Sequence, residues 1–158
     1  DATLIRVETD SGLVGLGAAL GSPPIVAAIV SLAGATFEEA ADCKPSQPVS
    51  ILDIHGTADQ TIGYDGGQIA NVNYPGESQT LAHWQVYDRC RPGLTDDPVM
   101  LDLEALHVGP DTTVQRYSGC ASGTDVELWT IQGGVHVPIP VADFSAQAWR
   151  WLKDHPRR

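Results

Sequence analysis

Two apolar runs, each closing at a glycine turn, do most to restrict the fold. The first, VSILDIHGTAD, runs from Val49 to Asp59, and the second, DVELWTIQGGVH, from Asp125 to His136. Runs of Val, Ile and Leu that stop at a tight turn read as buried parallel strands, here Val49 to Ile54 and Val126 to Ile131. Asp59 and His136 then both fall just beyond strand carboxyl ends. In open α/β sheets the loops at that edge converge above the strand tips and carry the chemistry.

An acid after one strand and a His after a later one follow the chain order of the α/β-hydrolase triad, Ser, then Asp or Glu, then His. The surrounding motifs are AAIVSLAGATF (Ala27 to Phe37), HGTAD with the following YDGG, a helix closing in Cys90, YSGC (Tyr117 to Cys120) and ELWTIQGGVH. With these, the chain from about Ala27 onward resembles secreted esterases that include feruloyl esterases and polyhydroxybutyrate-type depolymerases. The resemblance implies that Asp59 is the triad acid and His136 the triad base. It implies a serine-type carboxylesterase acting on small or polymeric aromatic esters, including polyesters such as polyethylene terephthalate. It also implies a Cys90 to Cys120 disulfide and a secreted protein, and it leaves Cys43 without a partner.

At 158 residues the chain allows a single domain, less than a complete α/β-hydrolase needs. The expected fold class is therefore α/β, an incomplete α/β-hydrolase: the carboxy-terminal half of a doubly wound, mostly parallel sheet with flanking helices. Residues 25–158 form the family-like region and 1–24 a divergent segment. The start at Asp1 rather than Met reads as a mature or excised product. With 20 acidic against 9 basic residues and a net charge of -11, nucleic acid and anionic membrane surfaces are disfavoured as partners. No apolar run approaches the roughly 18 residues of a membrane span. A half sheet leaves an edge uncovered, which predicts a homodimer.

Along the chain, Thr3 to Thr9 reads as a strand and DSG as a turn, and the residues around and beyond that turn admit two readings. In one, Ser11 is a nucleophile on a strand-to-helix elbow and Leu13 to Leu20 form a short helix. In the other, TLIRVET, DSG and LVGLGAAL form a β-hairpin without catalytic meaning, similar to the amino-terminal hairpin of enolase-superfamily proteins. On the family's G-x-S-x-G elbow, Thr9 and Leu13 replace both glycines that permit the strained turn. If Ser11 serves, the backbone N–H of Gly12 supplies one oxyanion donor; the second normally comes from a loop after an earlier strand, which this chain lacks, so slow turnover is expected unless a neighbouring chain supplies it.

Ile25 to Leu32 predicts a central strand, and Gly63 to Gly76 a loop shaping a pocket rim. Ser78 caps a helix with Leu81, Trp84 and Val86 inward, ending near Cys90. Residues 91–111 read as a surface excursion, followed by a short strand over Val114 to Tyr117. The final helix starts near Asp143, with Phe144, Ala148, Trp151 and Leu152 on its core face. His55 is expected to hydrogen-bond the loop that positions Asp59, whereas His83, His107 and His155 read as surface residues. Tyr64 and Tyr74 flank the expected cleft and would stack on an aromatic acyl group. No metal-ligand spacing, phosphate loop or dinucleotide fingerprint occurs, so neither metal nor cofactor is expected. Asp59, His136 and Ser11 also admit plain structural roles: a turn cap, a polar loop residue and a turn serine.

Overall fold

The run around Val49 forms strand β4 (Ser50–Gly56), whose seven residues are all buried, and the run after Asp125 forms β9 (Val126–Ile131), whose six are buried as well. Burial on both faces is why neither strand alternates polar and apolar residues. The computed structural model of the protein describes residues 2–8, 14–20 and 27–156. Within it β4 and β9 are parallel neighbours in a register that pairs Gly56 with Ile131, so both strands end at one level. β3 (Ala28–Leu32) lies parallel on the other side of β4.

Antiparallel strands flank this parallel centre. β1 (Ala2–Glu8) and β2 (Val14–Leu20) pair with each other and β2 pairs with β3. A small hairpin, β5 (Gly66–Ile69) and β6 (Val72–Pro75), forms a separate two-stranded sheet. β7 (Thr95–Asp96) and β8 (Thr112–Tyr117) complete the far side, giving the order β1-β2-β3-β4-β9-β8-β7. The α-helices are α1 (Glu77–Tyr87) and α2 (Phe144–Asp154). The fold class is α/β.

Alternate residues of β9 show that the helices cover opposite faces. Val126 and Leu128 pack with Leu81 of α1, whereas Trp129 and Ile131 pack with Trp151 and Leu152 of α2. Phe144 and Ala148 extend the α2 contact, as their helical spacing with Trp151 and Leu152 requires. Among the described residues no helix is long and apolar enough to cross a membrane.

Several elements differ from the sequence reading. Val14–Leu20 is a strand rather than a helix, which favours the hairpin and removes the helix that a nucleophile elbow needs; Ser11 itself lies outside the described residues. Four of its seven residues are Gly or Ala, too little side-chain surface to specify a helical face, and pairing with β1 and β3 decides its state. β3 begins at Ala28; residues 25 and 26 of the expected strand lie outside the described residues. Helix α1 ends at Tyr87, and Val86 is 65% exposed because the buried positions are Glu77, Thr80 and Leu81. The stretch 91–111 is no mere excursion. Asp111 accepts from the backbone N–H of Leu103 (3.1 Å) and Glu104 (2.9 Å) and from the Thr112 hydroxyl (2.6 Å), folding Leu103 fully into the core.

The disulfide joins Cys90, just after α1, to Cys120, ahead of β9, across a separation of 30 residues, and Cys43 is free. Closing a loop of that size restricts the unfolded chain by on the order of 3 kcal/mol. A Cys90→Ser/Cys120→Ser double variant is therefore expected to lose about that stability in urea unfolding. An unchanged midpoint would contradict it.

Candidate functional site

Above the tips of β4 and β9, the two loops are joined backbone to backbone. Thr57 N–H donates to the Ile131 carbonyl (3.0 Å) and Ala58 N–H to the Gly134 carbonyl (2.9 Å), while Gly133 N–H reaches the Thr57 hydroxyl (2.8 Å). Only glycine fits where they cross, because a Cβ at Gly56 would lie 2.1 Å from the Gly134 carbonyl oxygen. This junction delivers Asp59 from one loop and His136 from the other to a single point. His136 Nδ1–H donates to Asp59 Oδ2 at 2.9 Å.

The Asp59 carboxylate is fully engaged. Its Oδ1 accepts from the backbone N–H of Thr61 (2.7 Å) and Ile62 (3.0 Å), and its Oδ2 also accepts from His55 Nε2 (3.1 Å). Burial alone would raise this carboxyl's pKa; the hydrogen bond from His136 and those from Thr61 and Ile62 outweigh it and hold the pKa below the ordinary value. With Nδ1–H committed to Asp59, the tautomer of neutral His136 leaves Nε2 as an acceptor. The His136 side chain is 36% exposed, whereas that of Asp59 is fully buried. Among the described residues no hydroxyl hydrogen-bonds to His136.

Behind Asp59 lies a polar cluster under α1. His55 is completely buried; its Nε2 donates to the Ile62 carbonyl (2.8 Å) as well as to Asp59, and its Nδ1 lies 2.6 Å from Glu77 Oε1. Burial lowers the proton affinity of His55, but Glu77 and the Ile62 carbonyl outweigh it and raise its pKa to about 9. Asp53, three residues before the end of β4, is pushed well above the carboxylate range by burial and then by the neighbouring Glu77 charge. Donor atoms of Asp53, His55 and Glu77 lie within 4.8 Å of one another, the set among the described residues that could hold a metal ion. Yet His55 Nδ1 and Glu77 Oε1 are already at proton-sharing distance, shorter than two ligands of one ion would be.

These shifts give stability a defined pH dependence. The His55 contribution is fully present below the unfolded pKa near 6.5 and is lost as pH rises through about 9. Melting temperature is expected to fall between those limits in the wild type and to fall less in Glu77→Gln; parallel curves would contradict the assignment. The Asp59 contribution has the opposite sign, being present above roughly 3.9 and lost as pH falls through its lowered value.

The remaining candidates fall elsewhere. Tyr64 stands edge-on to His55 with ring centroids 5.8 Å apart and its hydroxyl 2.9 Å from that of Thr130, while the Tyr74 hydroxyl accepts from Gly63 N–H at 2.8 Å. Both tyrosines brace the loop after β4 from within, and their hydroxyls are already engaged. His83 is half-buried beside Thr36, and His155 stacks on Trp151 at 4.0 Å with its Nε2 3.1 Å from Asp125, so neither is a free surface residue. His107 is exposed, near Glu104 and Asp111. The residues that sequence reasoning missed are Asp53 and Glu77. An acid inside an otherwise apolar strand was the available signal for Asp53, because a buried carboxyl needs partners.

No family model matches the chain. Among curated proteins it is similar to feruloyl esterase B of Piromyces equi, with 29% identity over 99 residues, 60% of this chain and 16% of that protein. The chain thus spans a small part of the relative it matches. The similarity supports a distant relationship to an esterase.

Proposed function

We propose that the protein is a carboxylic ester hydrolase of the feruloyl esterase and polyester depolymerase kind, working by Ser-His-Asp acyl transfer. The observation that carries this reading is the 2.9 Å contact between His136 Nδ1 and Asp59 Oδ2 above two parallel strand tips. Such a pair leaves Nε2 as a general base toward a hydroxyl. Ser11 is the hydroxyl the sequence offers. Its oxygen attacks the ester carbonyl and its proton passes to His136 Nε2. The alcohol then departs with that proton, and water, activated by the same nitrogen, releases the acid. Val135, Val137 and Ile139, 49%, 73% and 54% exposed, offer an apolar surface on the His136 loop for an aryl ester or an aromatic polyester such as polyethylene terephthalate. The disulfide suits a secreted protein.

A second reading, a fragment that binds an ester without turning it over, is favoured by the strand at Val14–Leu20, where an elbow needs a helix. Hydrolysis of a p-nitrophenyl ester by wild type beside Ser11→Ala separates the two. Loss in the variant supports acyl transfer through Ser11, undiminished activity assigns the nucleophile elsewhere, and an inactive wild type favours the binding fragment. The homodimer belongs to this proposal too, since β1 has a partner on one side only among the described strands. A monomer on gel filtration would remove it.

A further inference from the structure

We propose that His55, held by Glu77, is a positioning residue for the Asp59–His136 pair: from beneath the strand tips it grips the same carboxylate oxygen that His136 uses. This deepens the hydrolase reading and rests on it. Asp59 Oδ2 accepts from His136 at 2.9 Å and from His55 at 3.1 Å, while Oδ1 accepts two backbone N–H groups, so all four acceptor directions of the carboxylate are assigned. The Ile62 carbonyl, 2.8 Å from His55 Nε2, can only accept, so that nitrogen carries a proton and donates it to carbonyl and carboxylate together.

The His55 and Glu77 side chains are enclosed together. That of His55 is 0% exposed and that of Glu77 1%. The Glu77 carboxylate sits at the first residue of α1, where the helix end favours negative charge, and lies 2.6 Å from the other ring nitrogen. The titratable groups facing His55 are Asp53 on β4, Asp59 and Tyr64 on the loop after it, and Glu77 on α1. β9 contributes the neutral Thr130, the register partner of His55, and β3 contributes the neutral Ser31, opposite Asp53. A protonated His55 against Asp59 lowers the negative potential that His136 feels. Removing that cation makes His136 easier to protonate, and removing Glu77 does the same more weakly by letting His55 become neutral. A purely structural ring would leave the titration of His136 where it is.

The test tracks the His136 ring proton by NMR against pH in wild type, His55→Gln and Glu77→Gln, beside the pH profile of kcat/KM on p-nitrophenyl butyrate. The His136 midpoint and the acid limb are expected to rise together by roughly one pH unit in His55→Gln and by less in Glu77→Gln. In His55→Gln kcat should fall about 10- to 100-fold with KM unchanged, since a misplacement of about 1 Å in a catalytic pair costs up to about 100-fold. An unshifted His136 midpoint in a folded variant would overturn the proposal, as would loss of activity that only tracks loss of melting temperature. Should His55→Gln fail to fold, Glu77→Gln, which keeps a polar side chain of the same shape, decides the matter alone. A wild type that turns over no ester but whose variants show the shift sinks the hydrolase reading and supports the grip of His55 on the pair.

Discussion

Asp59→Asn is expected to lower kcat for ester hydrolysis by about 10⁴-fold while leaving KM and the fold nearly unchanged, the size of effect this substitution has in a Ser-His-Asp triad. Two backbone N–H groups, from Thr61 and Ile62, point at one side of the carboxylate and require an acceptor there. An asparagine must turn its carbonyl toward them, which aims its NH₂ at His136. The imidazole then accepts at Nδ1 and carries its proton on Nε2, the wrong tautomer for a base. The same turn sets an NH₂ against the His55 N–H, so some stability goes as well. Steady-state kinetics beside a thermal melt separates the two losses; a variant with near wild-type kcat would show that Asp59 does no more than cap its turn.

Trp151→Ala is expected to destabilise the protein by about 3 to 5 kcal/mol, the cost of emptying a large core site. The indole is 6% exposed and fills the space between α2 and the face of the sheet that carries Trp129 and Ile131. It has a polar duty too. Glu127, itself buried, accepts from Trp129 Nε1 at 2.5 Å and from Trp151 Nε1 at 3.2 Å, so the truncation leaves one buried carboxylate oxygen without its donor. Trp151→Phe should recover much of the packing and none of that hydrogen bond, falling between the two. Urea unfolding of the three proteins checks the order; equal midpoints for wild type and alanine variant would place Trp151 outside the core.

How much was legible in the sequence depended on whether local and tertiary signals agreed. The runs ending at Gly56 and Gly134 state their burial through composition and their turns through glycine, and Phe144, Ala148, Trp151 and Leu152 state a helix face through spacing. Asp59 and His136 were readable because each lies just past such a strand. The segment after Ser11 was ambiguous because glycine and alanine serve a weak helix and a strand alike, and the partner strands decide. The β5–β6 hairpin was hidden by its turn: Ala70 and Asn71 adopt φ of 49° and 64°, a conformation usually announced by Asn-Gly, and alanine gives no warning of it. The cluster under α1 was half visible. His55 and Asp53 stand out in an apolar strand, but that Glu77 returns to meet them depends on the path of the loop after β4, which no spacing encodes.

The claim on which all of this turns is that His136, aligned by Asp59, moves the proton in ester cleavage. The most direct measurement is the rate of p-nitrophenyl butyrate hydrolysis by the wild type beside a folded His136→Ala variant. Turnover is expected in the first and only background hydrolysis in the second. Equal rates in the two proteins would contradict it.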